Sequence, residues 1–178
     1  YFGVNAGAMD SMVNHYTAAK RLRSDDAYTP EGRAGQRPDY AVTVYTKILK
    51  EIYPDIPVVI GGIEASLRRV THYDYWQDCL KPSILVESGA DWLCYGMGER
   101  PMIELTKAIE AGRNLNDIRK IPQIGFYMDG RCRHKDAVIL NSFERCCKDK
   151  PAFAENFHVI ETYANMMYPP VLVEPVGD

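Results

Sequence analysis

The sequence predicts an α/β fold: a mostly parallel sheet sandwiched between helices, three layers in all, that can carry an antiparallel pair at its edge. Three observations predict it. Short β-branched runs alternate with longer stretches of helical spacing, the pattern of strand–helix–strand units. Two apolar runs, Val58-Val59-Ile60 and Asp91-Trp92-Leu93-Cys94-Tyr95, end in glycine turns, Gly61-Gly62 and Gly96-Met97-Gly98. The composition, 46% hydrophobic and 25% charged over 178 residues, is that of one compact globular domain and not of a disordered or fibrous chain.

Taken in order, Phe2-Gly3-Val4 begins a strand that stops at Asn5-Ala6-Gly7. Because the chain opens on a core strand and not on an initiator methionine, it is expected to be a piece of a longer protein. Residues 10–37 are polar and turn-rich, and an irregular segment of that length is expected to be functional or disordered. After Pro38, helical spacing places Ala41, Val44, Tyr45, Ile48, Leu49 and Ile52 on one face, and Pro54 and Pro57 end the helix. Val58–Ile60 is continuous enough for a strand buried on both faces. Residues 100–111 read as a helix with Pro101 near its start and Gly112 as its cap. Ile124–Tyr127 and Ala137–Leu140 read as strands that pair as a hairpin through Asp129-Gly130. Residues 142–167 are helix-compatible with Pro151 between two stretches, and residues 168–178 read as an extended, proline-rich linker.

Several function classes are excluded early. A net charge of −3 gives no general attraction to nucleic acid or membrane, and no apolar run reaches the ~20 residues of a membrane span. Five scattered cysteines and no secretion signal point to reduced thiols in a cytoplasmic protein. No CxxC pair and no CxxxCxxC spacing occurs, so neither a zinc ribbon nor an iron–sulfur cluster has a sequence basis within these residues.

The candidate site is the edge where parallel strands end, since ligands sit there in open α/β sheets at the point where strand order reverses. Gly61, Gly62, Gly96 and Gly98 either let backbone N–H groups approach an anion or merely let the chain reverse tightly. Neither turn matches GxGxxG or GxxxxGK[ST], and Glu64 and Glu99 place carboxylates near the positive helix ends, which argues against an anion. His72-Tyr73-Asp74-Tyr75-Trp76 is either a stacking or docking surface or a set of space-filling rings. Lys20, Arg21, Arg23, Arg33 and Arg37, like Arg68 and Arg69, either meet phosphates or an acidic partner, or pair within a solvated loop.

The stretches Phe2–Thr17, Arg23–Pro30, Arg37–Asp39, Gly61–Arg69, His72–Trp76 and Tyr95–Glu99 together resemble the N-terminal region of the YgiQ-type radical SAM proteins. The likeness is dense to about residue 100 and thinner beyond. It implies a Rossmann-like, cobalamin-domain-like accessory domain over 1–167, upstream of a barrel that carries a [4Fe–4S] cluster and cleaves S-adenosylmethionine. It implies no catalytic residue and no cofactor or metal here, and a partner in the downstream domain of the same chain. No DxHxxG motif occurs, so the likeness does not extend to cobalamin ligation. The crevice it implies comprises Gly61, Gly62, Glu64, Ser66, Gly96, Gly98 and Glu99. Around it come Asp10, Asn14, Tyr16 and Arg23 of the long loop, and His72, Tyr73 and Asp74. Two other readings stand beside it: an independent small-molecule or nucleotide-binding module, and a domain that recognises RNA or another partner through residues 20–37.

Overall fold

The computed structural model of the chain describes residues 1–130, 132 and 134–177. Asp178, the last residue of the linker expected over 168–178, lies outside the described residues. From the N-terminus, β1 (Phe2–Val4) leads to α1 (Ser11–His15), a long loop with a 3-10 turn at Pro30–Gly32, and α2 (Ala41–Ile52). Then come β2 (Val58–Ile60), α3 (Gly62–Leu67), β3 (His72–Asp74), β4 (Cys79–Lys81), α4 (Ile84–Ser88) and β5 (Trp92–Cys94). α5 (Glu99–Glu110), α6 (Leu115–Ile118) and β6 (Ile124–Phe126) follow. The last elements are β7 (Val138–Ile139), α7 (Phe143–Lys148), α8 (Lys150–Ala164) and β8 (Leu172–Val173).

These elements form two compact units: Tyr1–Arg69 with Ser83–Tyr127, and Val70–Pro82 with Met128–Asp178. The first holds a four-stranded sheet in the order β1-β2-β5-β6, parallel through β5 and antiparallel at β6. This is the mostly parallel α/β sheet with an antiparallel edge pair that the sequence predicts. Alternation along the strands sends Val58, Ile60 and Leu93 to one face, where Ala41, Val42, Ile84 and Leu85 of α2 and α4 cover them. Val59, Trp92 and Cys94 point to the other, against Leu105, Ala108 and Ile118 of α5 and α6. All three residues of β2 are buried, as expected of a strand covered on both sides. The chain steps twice in one direction across the sheet, so crossovers of one hand place α2 and α4 on the same face.

Three local expectations are corrected. The hairpin expected between 124–127 and 137–140 does not form: β6 pairs with β5 in the register Cys94↔Ile124, and β7 pairs in parallel with β8. Gln123 settles the first pairing, its carbonyl accepting Tyr95 N–H at 3.1 Å and its side-chain amide donating to Tyr95 O at 3.0 Å. The face expected over 41–52 packs only in part: Ala41 is buried and Tyr45 and Leu49 lie against the core beside buried Val42, Thr43 and Thr46, while Ile48 and Ile52 stay exposed. The expected strand-order reversal is also missing among the described strands, which run in sequential order.

The second unit contains the antiparallel pair β3–β4, with His72 opposite Lys81 and Asp74 opposite Cys79, and the parallel pair β7–β8. Residues 172–173 of the tail are therefore a strand. Asn141 and buried Asn156 exchange hydrogen bonds of 2.7 and 2.8 Å, which hold the entry to α7 against α8. Thr71 N–H donates to both carboxylate oxygens of Glu174, at 2.9 and 3.0 Å.

Candidate functional site

What opens the strand-end edge of the first unit is a change of face. β2 leads through Gly61-Gly62 into α3, whose Ala65 belongs to the α2/α4 side, whereas β5 leads through Gly96-Met97-Gly98 into α5 on the opposite side. The glycines are there for close approach. A Cβ on Gly61 would stand 3.3 Å from Cys94 O, and Gly62 (φ +80) lies against Asn5 and Gly7 at the end of β1. Gly96 (φ +71) would press a Cβ to 2.9 Å from the Gln123 amide. Ser66 Oγ accepts the Gly96 N–H at 3.3 Å and bridges the two turns. Gly61, Gly62, Ser66, Gly96, Gly98 and Glu99 are thus gathered at one edge.

Glu64 is elsewhere. Although it follows the glycine pair, its side chain is 1% exposed and turned inward. Its Oε2 accepts Ser11 N–H at 2.8 Å and its Oε1 accepts Val42 N–H at 3.1 Å, so one carboxylate caps the starts of α1 and α2. Arg68, one turn on, pairs with Glu64 at 3.6 Å and with Asp10 at 2.5 Å, and stacks its guanidinium over the Tyr40 ring at 5.5 Å. Asp10 in turn caps α1, accepting from Met12 and Val13 N–H. The sequence expectation that Glu64 repels an anion at its own helix end is corrected: its charge is spent on neighbouring helices. Arg68 is likewise a buried ion-pair partner and not a surface cation.

The long loop is ordered around another buried carboxylate. Asp26, also 1% exposed, accepts from Asn14 Nδ2 (2.7 Å), Tyr28 N–H (2.9 Å) and the Arg37 guanidinium (2.7 and 3.2 Å). Burial pushes the Asp26 carboxyl up, but Arg37, the Tyr28 N–H and Asn14 together outweigh it and hold the group below the usual aspartate range. Arg37 also donates to Ala6 O at 3.0 Å, tying the loop to the end of β1, and lies over the Tyr28 ring at 4.8 Å. His15 sits between Asp26 (3.4 Å) and Asp39 (3.0 Å), and Tyr16 donates its hydroxyl to Asp39 at 2.9 Å. That hydrogen bond, then burial, raises the Tyr16 phenol above its ordinary value.

Of the basic cluster, read as meeting phosphates or an acidic partner or as pairing within the loop, Arg23 donates its Nε–H to Val13 O and Tyr16 O, Arg33 pairs with Glu31, and Arg37 with Asp26, which is the second reading. Arg69 donates to Ser66 O and stacks on Tyr95. Asp10, Asn14, Tyr16 and Arg23 therefore brace the loop. Ser11, Asp26 and Asp39 were missing from the candidate residues, and Arg37 and Arg68 were named only among the cations. One signal was present, the i,i+4 spacing of Glu64 and Arg68. His72, Tyr73 and Asp74 lie in the second unit, on β3. There Asp74 Oδ1 accepts Gln77 N–H at 2.8 Å, Tyr73 donates to Asp78, and Tyr75 and Trp76 meet edge to face.

Among the described residues, no group of three or more His, Cys, Asp or Glu side chains stands where it could hold a metal ion. Cys94 and Cys146 are buried, Cys79 and Cys147 exposed. Burial, then Glu99, pushes the Cys94 thiol up, away from the thiolate a metal needs. No described helix is long and apolar enough to cross a membrane.

A three-layer α/β unit with glycine turns at its strand ends and an ordered loop bound beside them is the class of domain this geometry defines. The chain belongs to the radical SAM N-terminal family, whose model matches residues 1–178. It is 52% identical over its whole length to a UPF0313 protein of Porphyromonas gingivalis, covering 28% of that protein. It is 46% identical over its whole length to a UPF0313 protein of Geobacter sulfurreducens, covering 30% of it. Over 68% of the chain it is 55% identical to the UPF0313 protein YgiQ of Escherichia coli, covering 16% of it. The chain thus spans less than a third of the length of these relatives. No solved structure matches it.

Proposed function

We propose that the chain is a non-catalytic accessory domain of a cytoplasmic radical SAM iron–sulfur protein, and that it shapes or covers the active site of the domain that follows. The observation that carries this reading is the convergence of Gly61-Gly62 and Gly96-Met97-Gly98 on one strand-end edge, in a chain of the radical SAM N-terminal family. The backbone of that edge faces the reaction chamber. Asp10, Glu64 and the loop residues Asn14, Tyr16 and Arg23 hold the edge rigid. The strand His72–Asp74 of the second unit supplies a separate surface for the neighbouring domain, and residues 168–178 connect the two. The [4Fe–4S] cluster and S-adenosylmethionine belong to the following domain, since a cluster needs converging thiolates that the described residues do not offer.

The test uses the longer protein. Gly98 has φ −81, so a side chain there adds bulk to the rim without backbone strain. Gly98→Gln is expected to slow S-adenosylmethionine cleavage about tenfold with iron content unchanged. Unchanged cleavage would contradict the placement of the edge at the active site. Saturable binding of S-adenosylmethionine, a nucleotide or cobalamin by the 178-residue chain alone would favour an independent binding module instead.

A further inference from the structure

α1 and α3 bury Met12 and Ala65, but they also turn charges inward and apolar side chains outward. A surface helix normally buries its apolar side chains and turns its charges to water. Here Asp10, Glu64 and Arg68 point inward, locked to one another and to Ser11 N–H. The side chains that face outward are apolar: Met9 is 44% exposed, Val13 47%, Ile63 50% and Leu67 63%. Ile63 and Leu67 stand one turn apart on the same side of α3. Met9 and Val13 flank the start of α1, and the ion pair and the Ser11–Glu64 bond clamp α1 to α3. Met97, 76% exposed, stands on the glycine turn bridged to Ser66 of α3. Single exposed apolar residues are ordinary, but here five stand on elements that internal bonds hold together, and apolar side chains exposed in such a group mark contact surfaces.

We infer that this face docks against an apolar surface of the polypeptide that follows residue 178 in the longer protein. The inference rests on the accessory-domain reading and adds to it the surface through which the domain is held. Charge excludes a nucleic acid here: Arg23, Arg37, Arg68 and Arg69 around the face are committed to internal carbonyls, carboxylates or rings. The occupant comes from the same chain because the relatives carry more than twice this length besides the matched region. Such a face also explains the cost of burying three charges. Internal ion pairs fix two very short helices in register, so that their outer sides form one preorganised surface.

Single cysteines placed at this face in the longer protein, Ile63→Cys and Leu67→Cys, read its cover directly. Labelling by a maleimide is followed by peptide mass, which separates the introduced thiols from Cys79 and Cys147. Ile52→Cys, on the exposed side of α2, serves as the open control. In the longer protein both introduced thiols should react about tenfold or more slowly than the control, and in the 178-residue chain as fast as the control. Equal rates in the longer protein would overturn the inference. So would protection already present in the 178-residue chain, or protection lost on dilution, which would indicate a second copy. Any of these outcomes leaves the accessory reading standing if Gly98→Gln still slows cleavage, so the two fail separately.

Discussion

The carboxylate of Glu64 accepts the backbone N–H of Val42 at 3.1 Å, across 22 residues of sequence. Through this bond the helix that follows the paired glycines holds down the helix that precedes them. Glu64→Ala would leave the Val42 and Ser11 N–H groups unpaired in the interior and cost about 3 kcal/mol. Glu64→Gln keeps one acceptor and should cost about 1–2 kcal/mol. Denaturant unfolding followed by Trp92, which is buried in the same unit, measures both. A loss below about 0.5 kcal/mol for the alanine variant would show that the network carries no stability.

Asp26 makes the loop acid-sensitive. Its folded carboxyl titrates below the ordinary aspartate value, so its contribution is present above the unfolded value of about 3.9 and is lost as pH falls through the lower, folded one. Unfolding of the first unit should become easier with acid in that window. Asp26→Asn should flatten that slope and lower stability at neutral pH. A variant with the wild-type slope would assign the acid response to another group.

Glu174 has the opposite sign. Burial, opposed by its bonds from Thr71 and reinforced by Glu144, raises its carboxyl. Its contribution is therefore full below the unfolded value and lost as pH rises through the folded one. Glu174→Gln should stabilise the second unit at neutral pH and change little in acid, with Trp76 in a Trp92→Phe background as the reporter. Destabilisation at neutral pH would mean that the charged form is the one the fold prefers.

The glycines rank by what surrounds them. Gly7 has φ +98, and a Cβ there would stand 2.5 Å from the Tyr28 ring, so Gly7→Ala should cost about 3 kcal/mol. Gly96→Ala adds left-handed strain but meets only the movable end of Gln123, and should cost about 1–2 kcal/mol. Gly3 has open space, so Gly3→Ala should be neutral or gain about 0.5 kcal/mol. Thermal or denaturant unfolding of the three variants tests the order, and equal costs would contradict it.

Much of this fold was legible in the chain. The continuous run Val58–Ile60 and the turns at Gly61-Gly62 and Gly96–Gly98 announce parallel strands and the edge where they end, because burial on both faces and close backbone approach each leave a residue signature. Pairing was less legible. Ile124–Phe126 carries the same pattern whether it joins β5 or Val138–Ile139, and the choice is made by Gln123 against Tyr95. The buried charges were the least legible. Asp10, Asp26 and Glu64 look like surface residues until partners 11 to 58 positions away are known. Hydrophobic periodicity, which finds faces, misreads helices such as α1 and α3 that turn their charges inward.

Under the proposed function this domain supplies architecture, and the reactive centre resides in the polypeptide that follows. Anaerobic reconstitution with iron and sulfide, with iron counted per chain, tests it most directly. The 178-residue chain should stay colourless with no stoichiometric iron while the longer protein turns brown with about four irons per cluster. A stoichiometric cluster on the 178-residue chain would contradict the claim.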